Sequence, residues 1–421
     1  MREMKNSGIE WIGDIPSDWK ILRTKNFYSN HKHIVGDEAE NYERLALTLG
    51  GVIKRPKDDS TGLQPEAFEG YQILRENELV FKLIDLENVS TSRIGYSQYT
   101  GIVSPAYIVL SPKTAYESKF GEYYFLSMWQ REIFNYMGDD GVRSSLNSKD
   151  LLNIPYPSFS LEKKKRIADF LDEKCAEIDT VIEKTKATIE EYKKLKQSVI
   201  TQAVTKGIRP NRPMKDSGIE WIKKIPLEWN SINPKALFEQ RKEKAKQGER
   251  QLTASQQYGV IYQEEYMKIT GTKVVTVEKD FEILKHVEAG DFVISMRSFQ
   301  GGLEYSEKTG SISSAYVMLI PNNKCVFPRY FRWLFKSSLY INALQSTSNM
   351  VRDGQAMRYS NFSQVRLYTV PLDEQKEIAE YLDKKCSEID ELIAKKTAFL
   401  SELESYKKSL IYEYVTGKKE V

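Results

Sequence analysis

The chain has 421 residues, of which 40% are hydrophobic and 29% charged, so it has room for two to four folded domains with large solvated faces. Three cysteines without metal-ligand spacing argue against a disulfide framework, and no signal peptide, long apolar run or lipidation motif is visible, so a reducing, cytoplasmic setting with no membrane association is expected. A net charge of +3 neither demands nor excludes nucleic acid, because many DNA binders carry a local basic face on a near-neutral body.

Residues Lys5–Trp19 read KNSGIEWIGDIPSDW. The same box returns at Lys215–Trp229 as KDSGIEWIKKIPLEW, ten of fifteen positions identical at an offset of 210, half the chain. Trp11, Ile12, Ile15 and Trp19, with Trp221, Ile222, Ile225 and Trp229, read as core or as a clamp on the adjacent helix. A chain made of two copies of one unit can hold approximate two-fold symmetry and suits a two-fold partner such as duplex DNA.

After each box comes a mixed region rich in glycine, tyrosine and short β-like runs. The two regions are weaker copies of one another. YSQYTGIVSPAY, from Tyr96 to Tyr107, parallels YSEKTGSISSAY, from Tyr305 to Tyr316. Leu47-Thr48 with Gly51-Val52-Ile53 parallels Leu252-Thr253 with Gly259-Val260-Ile261. Box and helix are held alike while these regions diverge, the pattern expected if two globular parts do one job on different targets.

Each half closes on a Lys/Glu-rich segment without proline or glycine, from about Leu161 to Thr205 and from about Leu372 to Thr416. Ala168, Leu171, Cys175, Ile178, Ile182, Thr185, Ile189, Tyr192, Lys196, Val199 and Ala203 are spaced by alternating threes and fours. That spacing predicts a helix with a heptad seam. The second segment repeats it with Ala379, Leu382, Cys386, Ile389, Ile393, Lys396, Leu400, Leu403, Lys407, Leu410 and Tyr414. Lys196 and Lys407 interrupt both seams at the same place, which costs stability but fixes register, so the helices are expected to pair with each other. Pro157 and Pro371 upstream, with Gly207 and Gly417 downstream, are start and stop signals. If the pairing is antiparallel, the mixed regions lie at opposite ends of a rod, which argues against a disulfide between Cys175 and Cys386. GIRPNRP, Gly207 to Pro213, reads as a linker. The expected division is therefore 1–160, 161–206, 207–213, 214–371 and 372–421. The expected fold class is α+β, two globular α/β regions separated by two long antiparallel helices in a pseudo-two-fold repeat.

SGIEWIG-IP-W, a globular region ending in IPYP, and a helix carrying LDEKCAEID and AVTKG, with a second copy of the pattern in the other half, resemble the specificity subunits of type I restriction–modification systems over nearly the whole chain. The resemblance implies that each mixed region is a target recognition domain reading one half of a split DNA sequence, with the helices as spacer. It implies a subunit without its own active site or cofactor. Its partners would be double-stranded DNA, two adenine-N6 methyltransferase subunits and two restriction–translocase subunits, with S-adenosylmethionine, ATP and Mg bound by those partners. Base reading needs side chains in the grooves and cations on phosphates. The candidate contacts are Lys54, Arg55, Lys57, Arg93, Tyr96, Gln98 and Arg143 in the first region. In the second they are Arg241, Lys242, Lys244, Arg297, Gln300, Arg352 and Arg358. Arg297-Ser298-Phe299-Gln300-Gly301-Gly302 stands out, because arginine pairs with guanine, glutamine with adenine, and glycine permits close approach.

Other signals point less far. Asn153-Ile154-Pro155-Tyr156 differs from the N-P-P-Y motif of amino-methyltransferases and follows no glycine-rich cofactor loop, so it and Tyr368-Thr369-Val370-Pro371 read as strand-to-helix junctions. His31 and His33 lack a completing cluster for a metal, and no phosphate-binding G-x-x-x-x-G-K-[ST] loop occurs. The alternatives are a methyltransferase acting alone and a coiled-coil protein-interaction adaptor without DNA readout.

Overall fold

The computed structural model describes residues 2–59, 67–86, 93–114, 116–137, 145–277, 281–347 and 357–421. Its two compact units are Met1–Lys186 with Ala398–Val421, and Ala187–Thr397. Each unit thus takes a box, a mixed region and parts of both long helices. No helix is long and apolar enough to cross a membrane among the described residues.

The first unit is built on an antiparallel four-stranded sheet in the order Tyr28–Ser29, Ile108–Pro112, Leu79–Phe81, Ile94–Tyr96. The second repeats that order with Phe238–Arg241, Val317–Pro321, Phe292–Ile294, Glu304–Tyr305. Every smaller strand pair is also duplicated. Gln72–Leu74 with Gly101–Val103 corresponds to Lys285–Val287 with Gly310–Ile312. Lys20–Arg23 with Pro155–Ser158 corresponds to Asn230–Ile232 with Leu367–Thr369. The two proline-bearing junctions are therefore strands leading into helices. Central strands such as Leu79–Phe81 and Phe292–Ile294 are buried throughout, because both sheet faces are covered.

The repeated motifs of the mixed regions are turns. Tyr107 N–H donates to Ser104 O at 3.1 Å, and Tyr316 N–H to Ser313 O at 3.0 Å. Ser97 and Ser306 hydroxyls each close the turn two residues on, at 2.7 and 2.6 Å. Gly101 and Gly310 are fixed by close approach. A Cβ on Gly101 would lie 2.5 Å from Glu43 O, and one on Gly310 would meet Arg250 O.

The sequence match between the hairpins needs a correction of two residues. Leu45–Thr48 pairs with Gly51–Lys54, and Leu252–Ser255 with Gly259–Tyr262. Arg44 bridges Ile102 where Gln251 bridges Ser311, so Leu45, not Leu47, is the counterpart of Leu252. The glycines after the turns, both at positive φ, had drawn the match. The second turn is one residue longer.

The long helices run Leu161–Lys206 and Leu372–Val415. All the seam positions are buried or half-buried, as the three-four spacing predicts. Within each unit the helices run antiparallel. Asp179 faces Lys407 and Phe170 faces Tyr414 in the first; Lys196 faces Asp390 and Arg209 faces Glu377 in the second. The seam lysines thus reach across to the last aspartate of LDEKCAEID and of its copy, at 2.6 Å in both cases. Several other motif positions are also committed. Leu171, Cys175, Ile178 and their counterparts are core. Asp172 accepts from Lys119 and Tyr123, and Asp383 from Arg329 and Trp333, tying the mixed region to its helix. Cys175 and Cys386 are free thiols whose burial raises both to about 11.

Each box is core and clamp. In the first, Met4–Asn6 pairs with Asp14–Pro16, and Trp19 stacks on Phe159 at 3.7 Å. Tyr412 Oη and Lys418 Nζ donate to Ile12 O at 3.1 and 2.8 Å, so this box grips the end of the second long helix. In the second, Trp229 stacks on Tyr368 and donates to Glu374 at 3.0 Å. Its neighbours include Ala203, Val204 and Gly207, the end of the first helix. Gly207 and Gly417 both cap at φ 72°, and a Cβ on Gly417 would lie 2.5 Å from Pro16 Cδ. The linker is pinned rather than loose: Arg209 pairs with Glu377, and Arg212 with Glu374 and Glu228.

Candidate nucleic-acid interface

Cations that neutralise phosphate must be exposed and unspent, and side chains that read bases must reach out with open donors and acceptors. The candidates fall on both sides of that test.

In the first unit Lys54 ends a hairpin strand, pairs with Glu43 at 2.6 Å and lies 5.2 Å from the Tyr99 ring centroid. Arg55 pairs with Asp59 at 2.7 Å. Lys57 donates to Ala39 O at 2.8 Å and lies over Phe68. Tyr96 is half-buried with its hydroxyl on Asn77, while Gln98 is exposed in the following turn. Arg93 departs from the expectation. It is 1% exposed, and its guanidinium donates to Ile84 O at 2.8 Å and to Asp85 O. A buried guanidinium spent on carbonyls holds a loop together, so Arg93 leaves the set of exposed contacts. Burial also lowers it below the usual arginine range, against the opposing charge of Asp85. Arg143 lies outside the described residues.

In the second unit Arg241 is likewise consumed. It sits largely buried between Asp291, at 2.6 Å, and Glu243, at 2.7 Å, and leaves the set for the same reason. Lys242 and Lys244 are exposed and have no carboxylate partner among the described residues. Burial, and after it the Lys244 charge, pushes Lys285 below the ordinary lysine range. Arg297 precedes the short helix Ser298–Gly301, with Gln300 one turn on, its N–H on Arg297 O at 2.9 Å. Both side chains are exposed. Arg358 is exposed ahead of the helix Tyr359–Gln364. Arg352 lies outside the described residues.

The structure thus brings together Arg297 and Gln300, and separately Lys242 and Lys244. Sequence reasoning passed over the hairpin turn Gln256-Gln257-Tyr258, where Gln256 Nε2 donates to Arg297 O at 3.4 Å. The available signal was two uncharged amides between β-like runs, just before Gly259. Behind the turn lies a cleft of about 780 Å³ whose walls mix Lys196, Arg332 and Lys336 with Glu304, Glu307 and Asp383. Charges of both signs make it a poor phosphate channel. No group of three or more His, Cys, Asp or Glu is placed to hold a metal among the described residues.

Comparison with known proteins gives the same direction. Residues 226–402 match the model of the type I restriction modification DNA specificity domain. Over 400 residues the chain is 24% identical to a Methanocaldococcus jannaschii protein provisionally assigned as the MjaX specificity subunit of a type I restriction enzyme, covering 88% of this chain and 87% of that protein. A chain from a solved structure concerned with assembly and conformational transition of the type I R-M system aligns with TM-score 0.70 and 13% identity, over 96% of this chain and 99% of that one. The HsdS subunit from Thermoanaerobacter tengcongensis aligns over 96% and 98% with TM-score 0.49 and 13% identity.

Proposed function

We infer, from its membership of the specificity subunits of type I restriction–modification systems, that this chain reads a bipartite, asymmetric DNA sequence for a methylating and restricting complex. Subunits of that family are not themselves catalytic. The chain would bind no cofactor of its own, leaving S-adenosylmethionine, ATP and Mg to adenine-N6 methyltransferase and restriction–translocase partners, two of each.

One observation carries the reading. Among the described residues the two units share their paired strands and scaffold motifs, yet their exposed hairpin turns differ in length and chemistry. Duplicated supports with unlike edges suit two half-sites of unlike sequence. Lys242, Lys244 and Arg358 are suited to phosphates, so affinity should fall steeply with salt. The apolar positions of the boxes and LDEKCAEID segments are buried scaffold, so docking of partners falls to their exposed positions and to the outer faces of the paired helices.

The test is to assemble the chain with its methyltransferase and map N6-methyladenine on genomic DNA. A split motif with unlike halves is expected. Absence of any motif, together with DNA affinity that ignores sequence, would leave the adaptor reading in its place.

A further inference from the structure

The arginines of the second unit separate into two classes. Arg209, Arg212, Arg241, Arg250, Arg329 and Arg332 all hold carboxylates. Arg366 donates to Ser231 Oγ at 2.9 Å. Among the described arginines of the second unit, only Arg297 and Arg358 are exposed without a carboxylate or hydroxyl partner. Arg297 is also the one that touches another exposed polar element, the hairpin turn.

That turn is stiff. Ser255 Oγ accepts the N–H groups of Gln257 and Tyr258, both at 3.3 Å. Gly259 closes it at φ 66°. Gln256 packs so closely on Gly301 that a Cβ there would lie 2.6 Å from its side chain. Turn and short helix therefore form one preorganised edge. It carries the amides of Gln257 and Gln300, the guanidinium of Arg297 and the ring of Tyr258. The equivalent turn of the first unit is Leu49-Gly50, with Leu49 68% exposed and Thr48 Oγ1 closing the loop onto Gly50 N–H at 3.2 Å. The same scaffold position thus presents amides on one reader and an aliphatic group on the other.

We propose that the hairpin turn Gln256–Tyr258, locked to Arg297 and Gln300, is the base-reading edge of the second recognition domain. Arg297 takes the O6/N7 edge of a guanine, and Gln257 takes the N6/N7 edge of a neighbouring adenine in the major groove, with Gln300 beside it. The counterpart Leu49 reads by apolar contact, as with a thymine methyl. This rests on the DNA-reading function proposed above.

The experiment uses the full chain assembled with its methyltransferase, with methylation motifs mapped for wild type, Gln257→Ala, Arg297→Ala and Arg297→Lys. Both alanine variants should relax the motif at one position of one half-site, with discrimination falling roughly 5- to 150-fold there. The other half-site should stay unchanged. Arg297→Lys keeps the charge but loses the two-pronged bond, so it should retain affinity and still lose discrimination. An unchanged motif in all three, with methylation at the wild-type level, overturns the assignment of this edge and leaves the specificity function standing. A wild-type complex that methylates no split sequence overturns that function and this inference together. Thermal melting of each variant identifies misfolding, and a folded Gln257→Ala with the wild-type motif counts against the turn by itself.

Discussion

Glu122 shows how one side chain can couple the first unit to pH. Burial lifts its carboxyl to about 7; the Tyr96 N–H, at 3.3 Å, opposes the rise, and Asp172 adds to it. Between its ordinary value and about 7 the folded chain keeps a proton that the unfolded chain has released. Stability is thus fully present at low pH and lost as pH climbs through that window. Chemical denaturation should show a decline on the order of 1–3 kcal/mol from pH 4.5 to 7.5. Glu122→Gln should flatten it, and a slope unchanged in that variant would mean that other groups set it. Arg93 teaches the complementary lesson. As a letter in the sequence it is a cation in a polar stretch, indistinguishable from Arg297. Only the carbonyls of Ile84 and Asp85 around its guanidinium reveal a structural part.

Among elements, the long helices were legible because forty-odd residues of three-four spacing leave no other period open. The interrupting lysines were legible too, but their partners were not, since Asp179 and Asp390 lie more than two hundred and nearly two hundred residues away in sequence. Short strands were far less legible. Three- and four-residue runs such as Leu45–Thr48 carry too few alternations to fix register, which is why the glycine after the turn misled the match by two residues. The Lys407–Asp179 pair offers a direct check of the seam. Asp179→Lys should lower the urea unfolding free energy by about 1 kcal/mol, and adding Lys407→Glu should restore most of it. Additive losses in the double variant would mean that the two side chains do not interact.

For the whole molecule, the proposed division into scaffold and readers predicts modular behaviour. Exchanging residues 20–157 for the corresponding stretch of another family member should change one half of the methylated sequence and leave the other as it was. A target altered in both halves, or in neither, would contradict the division of labour. The exchange should be tolerated, because the grafted stretch meets the scaffold through repeated devices. Asp172 and Asp383 receive the helices Glu117–Gln130 and Pro328–Leu334, and the strands Pro155–Ser158 and Leu367–Thr369 lead out of each mixed region.

The grip of the first box on the end of the second long helix has one more consequence. Lys418 and Tyr412 hold Ile12 much as the end of the first helix is held by the box that follows it, and Arg2 comes within 3.9 Å of Glu420. At one place the backbone runs on through Gly207–Pro213; at the other the same junction is made without a peptide bond. Within each unit, then, a box holds a helix end by the same kind of contact, whether or not the backbone is continuous between them.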